Sequence, residues 1–273
     1  MPETAPLSSA LHDELLHVAH LLADAARPIA LQYFRGAGQD IENKLDGDFD
    51  PVTVADRLIE RKMREILAQH RPQDSILGEE YAAYEGTSGL TWVLDPIDGT
   101  RGFISGTPTW GVLIAVGPEN GPLIGMIDQP FTGERFLGTP KQAQWQHPSG
   151  ERALGTRRCG GLQDAILFTT FPEIGAPLEQ TAFNRVRDRV KLTRYGMDCY
   201  AYGLLAAGQV DLVIEAGLNA YDIQGPLAVI EAAGGIVTDW QGEPAHKGGQ
   251  VIAAGDPALH AAALALLQAD GTV

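Results

Sequence analysis

Residues 91–100, TWVLDPIDGT, constrain this chain more than any other stretch of it. An apolar strand over 91–94 ends abruptly on Asp95-Pro96, and a second carboxylate follows three residues later at Asp98. Pro96 fixes the turn, and Gly99 permits a backbone conformation or a close ligand approach denied to other residues. Thr100 then opens a short helical turn whose N–H groups can face an anion. Paired carboxylates are hard oxygen ligands, suited to magnesium shared with waters and a substrate phosphate. Two such ions about 3.5–4 Å apart can clamp the attacking and leaving oxygens of a phosphoryl transfer. Read alone, Asp95 is equally a turn residue and Asp98 a helix cap, since Asp is favoured in both places.

The rest of the chain alternates apolar strand signals with amphipathic helices. Residues 1–10 read as a loose tail. From Leu11, the apolar residues Leu15, Val18, Ala19, Leu22, Ala26 and Ile29 recur at helical spacing, with Pro28 near the end as a kink. Residues 36–53 are rich in Gly, Asp and Asn, an irregular loop or hairpin, and a helix follows over 54–69. A short strand over 75–78 runs into Glu79-Glu80, and strands are expected over 110–117, 122–128 and 134–138. The polar, Gly-rich stretch 139–163 marks the junction between an N-terminal half, 1–145, and a C-terminal half, 146–273, of one catalytic unit. Beyond it come strands near 165–170, 191–195, 210–215, 235–239 and 250–254, with helices over 177–190, 199–208, 224–233 and 256–268. Strands and helices mix without strict alternation, which favours a layered α/β or α+β architecture over a regular barrel.

With 35 acidic against 20 basic residues, the formal net charge is -15. Such a surface repels nucleic acid and anionic lipid, so neither is an expected partner. It would also repel a phosphate ester, and metal ions are the obvious local remedy. The two cysteines, Cys159 and Cys199, form no CxxC pair, so neither a disulfide framework nor a thiolate zinc site is indicated. No secretory leader is read and no stretch approaches the roughly 20 apolar residues of a membrane span. A cytoplasmic location is the expectation.

Taken singly, Glu79 reads as a solvated acid and Asp222 as an N-cap. Together with Asp50-Pro51-Val52-Thr53-Val54-Ala55-Asp56, Leu77-Gly78-Glu79-Glu80, Asp95 through Thr100, and Tyr221-Asp222 followed by Glu231-Ala232-Ala233-Gly234-Gly235, they occur in a characteristic order. On these blocks the chain resembles the inositol monophosphatase-like phosphatases along nearly its whole length. The resemblance implies a layered α/β/α/β/α fold, a homodimer, and two or three magnesium ions. It implies Glu79, Asp95, Asp98 and Asp222 as metal ligands, joined by the backbone carbonyl of Ile97, with Asp95 bridging two ions. It further implies that Thr100, paired with Asp56, orients the attacking water while Glu79 holds its metal. The N–H groups of Gly99 and Thr100 would hold phosphate oxygens, with no covalent phosphoenzyme.

Within that superfamily the chain looks most like the histidinol-phosphate phosphatase branch. The carriers are residues 98–106 (DGTRGFISG), Ile127-Asp128-Gln129-Pro130 with Gly133-Glu134-Arg135, and Asp198-Cys199-Tyr200-Ala201-Tyr202. Histidinol phosphate bears an ammonium and an imidazole besides its phosphate, so its site should offer carboxylates away from the metals. Asp198 and Glu215 are the candidates, with Arg101 and Arg194 as substrate contacts. Asp198 is also readable as a helix cap, and Arg194 as an ordinary surface base. Two positions depart from the pattern, Gly102 where the branch has Ser, and Gln224-Gly225-Pro226 after Asp222. Pro226 belongs in a helix's first turn, so a late helix start and a shifted Asp222 are expected. The expected reaction is hydrolysis of histidinol phosphate in histidine biosynthesis. The alternatives are an inositol-1-monophosphatase or broad sugar phosphatase, and a non-catalytic metal- or phosphate-binding regulator.

Overall fold

The computed structural model describes residues 8–36, 41–43 and 51–269. Expectations falling on residues 1–7, 37–40, 44–50 (including Asp50 of the first block) and 270–273 lie outside the described residues. The elements run α1 (Ser9–Tyr33), β1 (Ile41–Asn43), β2 (Pro51–Thr53), α2 (Val54–His70), β3 (Ser75–Gly78), β4 (Thr91–Asp98), α3 (Thr100–Ser105), β5 (Gly111–Gly117), β6 (Ile124–Gln129), β7 (Glu134–Gly138), β8 (Ala143–His147) and β9 (Gly150–Ala153). They continue with β10 (Ile166–Thr169), α4 (Pro177–Arg187), β11 (Leu192–Tyr195), α5 (Tyr200–Ala206), β12 (Leu212–Leu218), α6 (Ala220–Ala232), β13 (Ile236–Thr238), β14 (Gly249–Ala254) and α7 (Pro257–Leu267).

Helix α1 begins at Ser9, earlier than its apolar periodicity indicates, because the Ser8 hydroxyl accepts the Leu11 N–H at 3.2 Å and so caps it. Pro28 lies inside this helix, which continues to Tyr33. Helix α2 buries Ala55, Ile59, Met63 and Leu67 at four-residue spacing, and on the same side two acids, Asp56 and Glu60. Strands β1 and β2 pair antiparallel, as the hairpin reading expects.

One sheet has the order β3-β4-β5-β6-β7-β8-β9, antiparallel except for the parallel β3–β4 pair. The other has the order β11-β10-β12-β14-β13, with β10 parallel to both neighbours. Three apolar clusters hold the layers together. The first joins α1 and α2 to the seven-stranded sheet through residues such as Leu22, Met63, Trp92 and Ile114. The second lies between the sheets around α5 and α6, with Phe136, Leu205, Ile223 and Val213. The third packs α4 and α7 on the outer face of the five-stranded sheet through Phe183, Leu212, Ile252 and Leu259. The result is the α/β/α/β/α stack.

Three sequence expectations need correction. Strand β4 does not stop at Leu94 but runs to Asp98, crossing a register shift between Asp95 and Asp98. Pro96 is tolerated there because β3 pairs only as far as Leu94, leaving one side of β4 without a ladder to donate to. The stretch 139–163 is not all connection: it contains the paired strands β8 and β9, and the chain passes to the second sheet only after Ala153. Helix α6 starts at Ala220, not 224, so Pro226 sits in its second turn and Asp222 in its first.

Candidate active site

The carboxyl ends of β3, β4, β10 and β12 and the first turn of α6 meet at a cleft of about 310 Å³. Strand ends of parallel pairs are where α/β sheets ordinarily present ligands. Both long strands break register at this point, β4 between Asp95 and Asp98 and β12 between Glu215 and Leu218. Such irregularities re-aim side chains beside functional sites.

Asp95, Asp98 and Asp222 each place a carboxylate oxygen within 4.8 Å of the others. Asp95 is buried, and its Oδ1 has no hydrogen-bond donor among the described residues. Burial, followed by the charges of Glu79, Asp98, Asp222 and Asp56, holds the Asp95 carboxyl well above the usual carboxylate range. Asp98 is pushed up by burial and by Asp222 and Asp198, although its Oδ2 accepts the Cys199 N–H at 2.7 Å. An orphaned oxygen amid mutually repelling acids fits a divalent cation, which would supply the missing positive charge. Glu79 lines the same cleft but lies outside the three-acid group.

Asp98 is not the cap of the helix after it: Gly99 holds that position with φ 81°. A Cβ on Gly99 would fall 2.7 Å from the Cβ and Cγ of Asp198, so this glycine serves both the left-handed turn and the close approach. Thr100 lines the cleft, and its hydroxyl donates to the Ile97 carbonyl at 3.2 Å. Asp56 lies buried at the start of α2, near enough for its charge to act on Asp95.

Asp198 is not a helix cap either. It adopts φ 46°, and its Oδ2 accepts the Thr109 hydroxyl at 2.6 Å, turned away from α5. Burial raises its carboxyl, which the Thr109 bond partly offsets. Gly102 lies close beneath it: a Cβ there would lie 2.8 Å from Asp198 Oδ2, so the glycine leaves room for the carboxylate as it stands in this chain. Glu215 is buried on β12, accepting from Thr169 Oγ1 at 3.2 Å, Thr170 N at 2.7 Å and Thr170 Oγ1 at 2.8 Å. Burial pushes it up to about 7, against the lowering effect of the threonines. Asp198, Glu215, Gly99 and Arg101 all line the cleft. Arg194 is placed differently, exposed on β11 and not among the lining residues.

Several contributors carry no motif signal. Glu60 is buried with its Oε1 on Arg64 Nε at 2.8 Å and its Oε2 accepting the Glu80 N–H at 2.7 Å. A Cβ on Gly78 would collide with the same carboxylate, so Glu60 supports the backbone on both sides of Glu79. An acid four residues after Asp56, on the apolar side of α2, is the signal that marks it. Thr170 is found by the rule that strand ends carry sites; nothing in the sequence singles out Thr109.

A family model described as the inositol monophosphatase family matches residues 11–271. The chain belongs to this family and is a metal-dependent phosphatase acting on phosphate monoesters. It is 42% identical over 273 residues to the bifunctional phosphatase IMPL2, chloroplastic, of Arabidopsis thaliana, covering 96% of this chain and 77% of that protein. It is 31% identical to the histidinol-phosphatase of Mycobacterium tuberculosis, over 89% of this chain and 93% of that one. Among solved structures, an inositol monophosphatase from Zymomonas mobilis superposes with a TM-score of 0.83 at 40% identity, covering 96% of this chain and all (100%) of that chain.

Proposed function

We propose that this phosphatase hydrolyses histidinol phosphate to histidinol and inorganic phosphate, a step of histidine biosynthesis. The observation that carries the reading is the pair of carboxylates, half-buried Asp198 and buried Glu215, lining the cleft outside the three-acid group. Histidinol carries an ammonium and an imidazole, which such carboxylates bind by charge-assisted hydrogen bonds; a polyol offers no cation. The M. tuberculosis histidinol-phosphatase supports the same choice. Inositol monophosphate is the second reading, favoured by the Z. mobilis structure.

Asp95, Asp98, Asp222, Glu79 and the Ile97 carbonyl would hold two or three magnesium ions. Bound there, magnesium would supply Lewis acidity toward the phosphate oxygens and lower the pKa of a water it holds. Thr100 keeps hydroxyl lone pairs while donating to Ile97, so it would accept a hydrogen bond from the attacking water and orient it, with Asp56 as its partner in that role. The N–H groups of Gly99 and Thr100 and the Arg101 guanidinium face the phosphate, and Asp198, Glu215 and Asp222 surround the leaving alcohol. The exposed Arg194 would reach a substrate only from the rim of the molecule. The halves 1–145 and 146–273 act as one unit, since Asp95 and Asp98 come from one and Asp222 from the other. A homodimer in the cytoplasm completes the reading. The free thiols Cys159 and Cys199 suit a reducing compartment. Among the described residues no helix is long and apolar enough to cross a membrane.

The test is a comparison of kcat/KM. One charge-assisted hydrogen bond more should favour histidinol phosphate over inositol 1-phosphate by about one to two orders of magnitude. Asp198→Ala should shrink that preference while sparing 4-nitrophenyl phosphate. A wild-type enzyme preferring inositol 1-phosphate would overturn the assignment.

A further inference from the structure

We propose that Phe171 is a specificity-determining residue, the platform on which the flat ring of the leaving group lies; this rests on the histidinol phosphate reading. Single exposed apolar side chains are ordinary and need no explanation. Phe171 differs from the other exposed large apolar side chains, such as Leu31, Tyr84, Phe131 and Leu178, in that it alone of those described lines the active cleft. It is 42% exposed there, in a lining whose other side chains include Glu79, Asp98, Asp198, Glu215 and Asp222. An apolar ring serves none of those acids.

Its position is fixed by its neighbour. Thr170 gives both its N–H and its hydroxyl to Glu215 Oε1, so the backbone entering Phe171 is tied to the carboxylate assigned to the leaving group. Glu215 and Phe171 line the same cleft, so a substrate bound by the carboxylate can also meet the phenyl ring. The ring also already receives a flat cation: the Arg101 guanidinium carbon stands 4.8 Å from its centroid. Arg101 belongs to α3, beyond the seven-stranded sheet, and Phe171 follows β10 of the other sheet, so the contact crosses the cleft. An imidazole has the same planarity as a guanidinium and, when protonated, the same charge. It takes the same kind of contact, with Arg101 turned toward the phosphate. Asp198 and Glu215 would thus read the cationic part of the substrate, and Phe171 its ring.

Two substrates separate these parts. 2-(Imidazol-4-yl)ethyl phosphate has the ring without the ammonium, and 2-aminoethyl phosphate has the ammonium without the ring. Steady-state kinetics should be measured for wild type, Phe171→Ala, Phe171→Leu and Phe171→Tyr, with thermal midpoints confirming that each is folded. Phe171→Ala and Phe171→Leu should lower the ratio of kcat/KM for the ring probe over the amine probe about fivefold to tenfold, chiefly through KM. Phe171→Tyr, which keeps the aromatic face, should retain it. An unchanged ratio in Phe171→Ala, or full retention by Phe171→Leu, overturns the proposal. Asp198→Ala should move the same ratio the other way. Because the ratio is read on these probes alone, a wild-type preference for inositol 1-phosphate would defeat the histidinol reading without deciding the role of Phe171.

Discussion

Asp98 answers to two demands with one carboxylate. One oxygen accepts the Cys199 N–H at 2.7 Å, and the residue also belongs to the three-acid group. Asparagine can keep the first role through its amide oxygen but gives up the charge. Asp98→Asn should therefore cost more turnover than the roughly 10–100-fold typical of losing an outer partner at a metal site. The metal-free variant should melt no lower than wild type, because a repelling charge is gone. A variant that unfolds while its folded fraction turns over normally would return Asp98 to a structural role. Glu60 makes the complementary case, since its charge touches Arg64 and its other oxygen the Glu80 N–H. Glu60→Ala should raise the magnesium concentration for half-maximal activity about 10–100-fold, and Glu60→Gln should recover part of it. Asp95 and Asp98 are legible in the sequence because both fall in one short block beside Gly99. For Glu60 the sequence shows only an acid on the apolar side of α2; its role lies in a tertiary contact to Gly78 and Glu80 that only folding creates.

At the scale of elements, the periodic helices and the apolar strands are legible, and the polar or constrained ones are not. Strand β9 is exposed throughout, and β8 alternates only Ala143 and Trp145 with Gln144 and Gln146, an apolar pattern too short to announce a strand. The start of helix α6 is hidden because Pro226, by its chemistry, points to a first turn. Its lost N–H in fact falls opposite the carbonyl of Asp222, four residues back, where α6 meets the cleft. Close packing holds the helix in place despite that break. A Cβ on Gly125 would collide with the Gly225 carbonyl, and one on Gly138 with the backbone at Ala228 and Val229. These glycines of β6 and β7 let α6 lie directly against the sheet, and that depth sets where Asp222 stands. Gly125→Ala should destabilise the fold by about 1–3 kcal/mol in urea titrations, as overpacking does. It should also weaken magnesium activation at temperatures where the variant is fully folded. Unaltered magnesium dependence would mean that α6 does not fix Asp222.

Across the whole molecule, the cleft concentrates buried acids whose ionisation the fold opposes, and this dictates how stability responds to pH. Asp95, Asp98, Asp198 and Glu215 are all raised, each chiefly by burial. A carboxyl raised in the folded state holds its proton where the unfolded chain has already released it. Stability therefore declines as pH climbs from the ordinary carboxylate range to the folded pKa and is level beyond it. For Glu215 that window runs from 4.5 to about 7, across which its ionisation costs roughly 3 kcal/mol of stability. Metal-free protein should consequently show a higher thermal midpoint near pH 5 than near pH 8, and Glu215→Gln should flatten part of the slope. The overall charge of -15 acts in the same direction through self-repulsion at higher pH. Magnesium held by Asp95, Asp98 and Asp222, as proposed, would compete with protons for them, so adding it should raise the midpoint most near pH 8 and least near pH 5. Chelation should abolish hydrolysis, with magnesium restoring it and calcium doing so poorly, because its looser coordination does not hold an octahedral geometry. Differential scanning calorimetry at both pH values, with and without magnesium, reads these effects together. Because His20, His246 and His260, lowered by burial, pull the midpoint the other way, the decisive comparison is with Glu215→Gln: a variant whose pH slope matches wild type would show that burial does not oppose ionisation of this acid at the cleft.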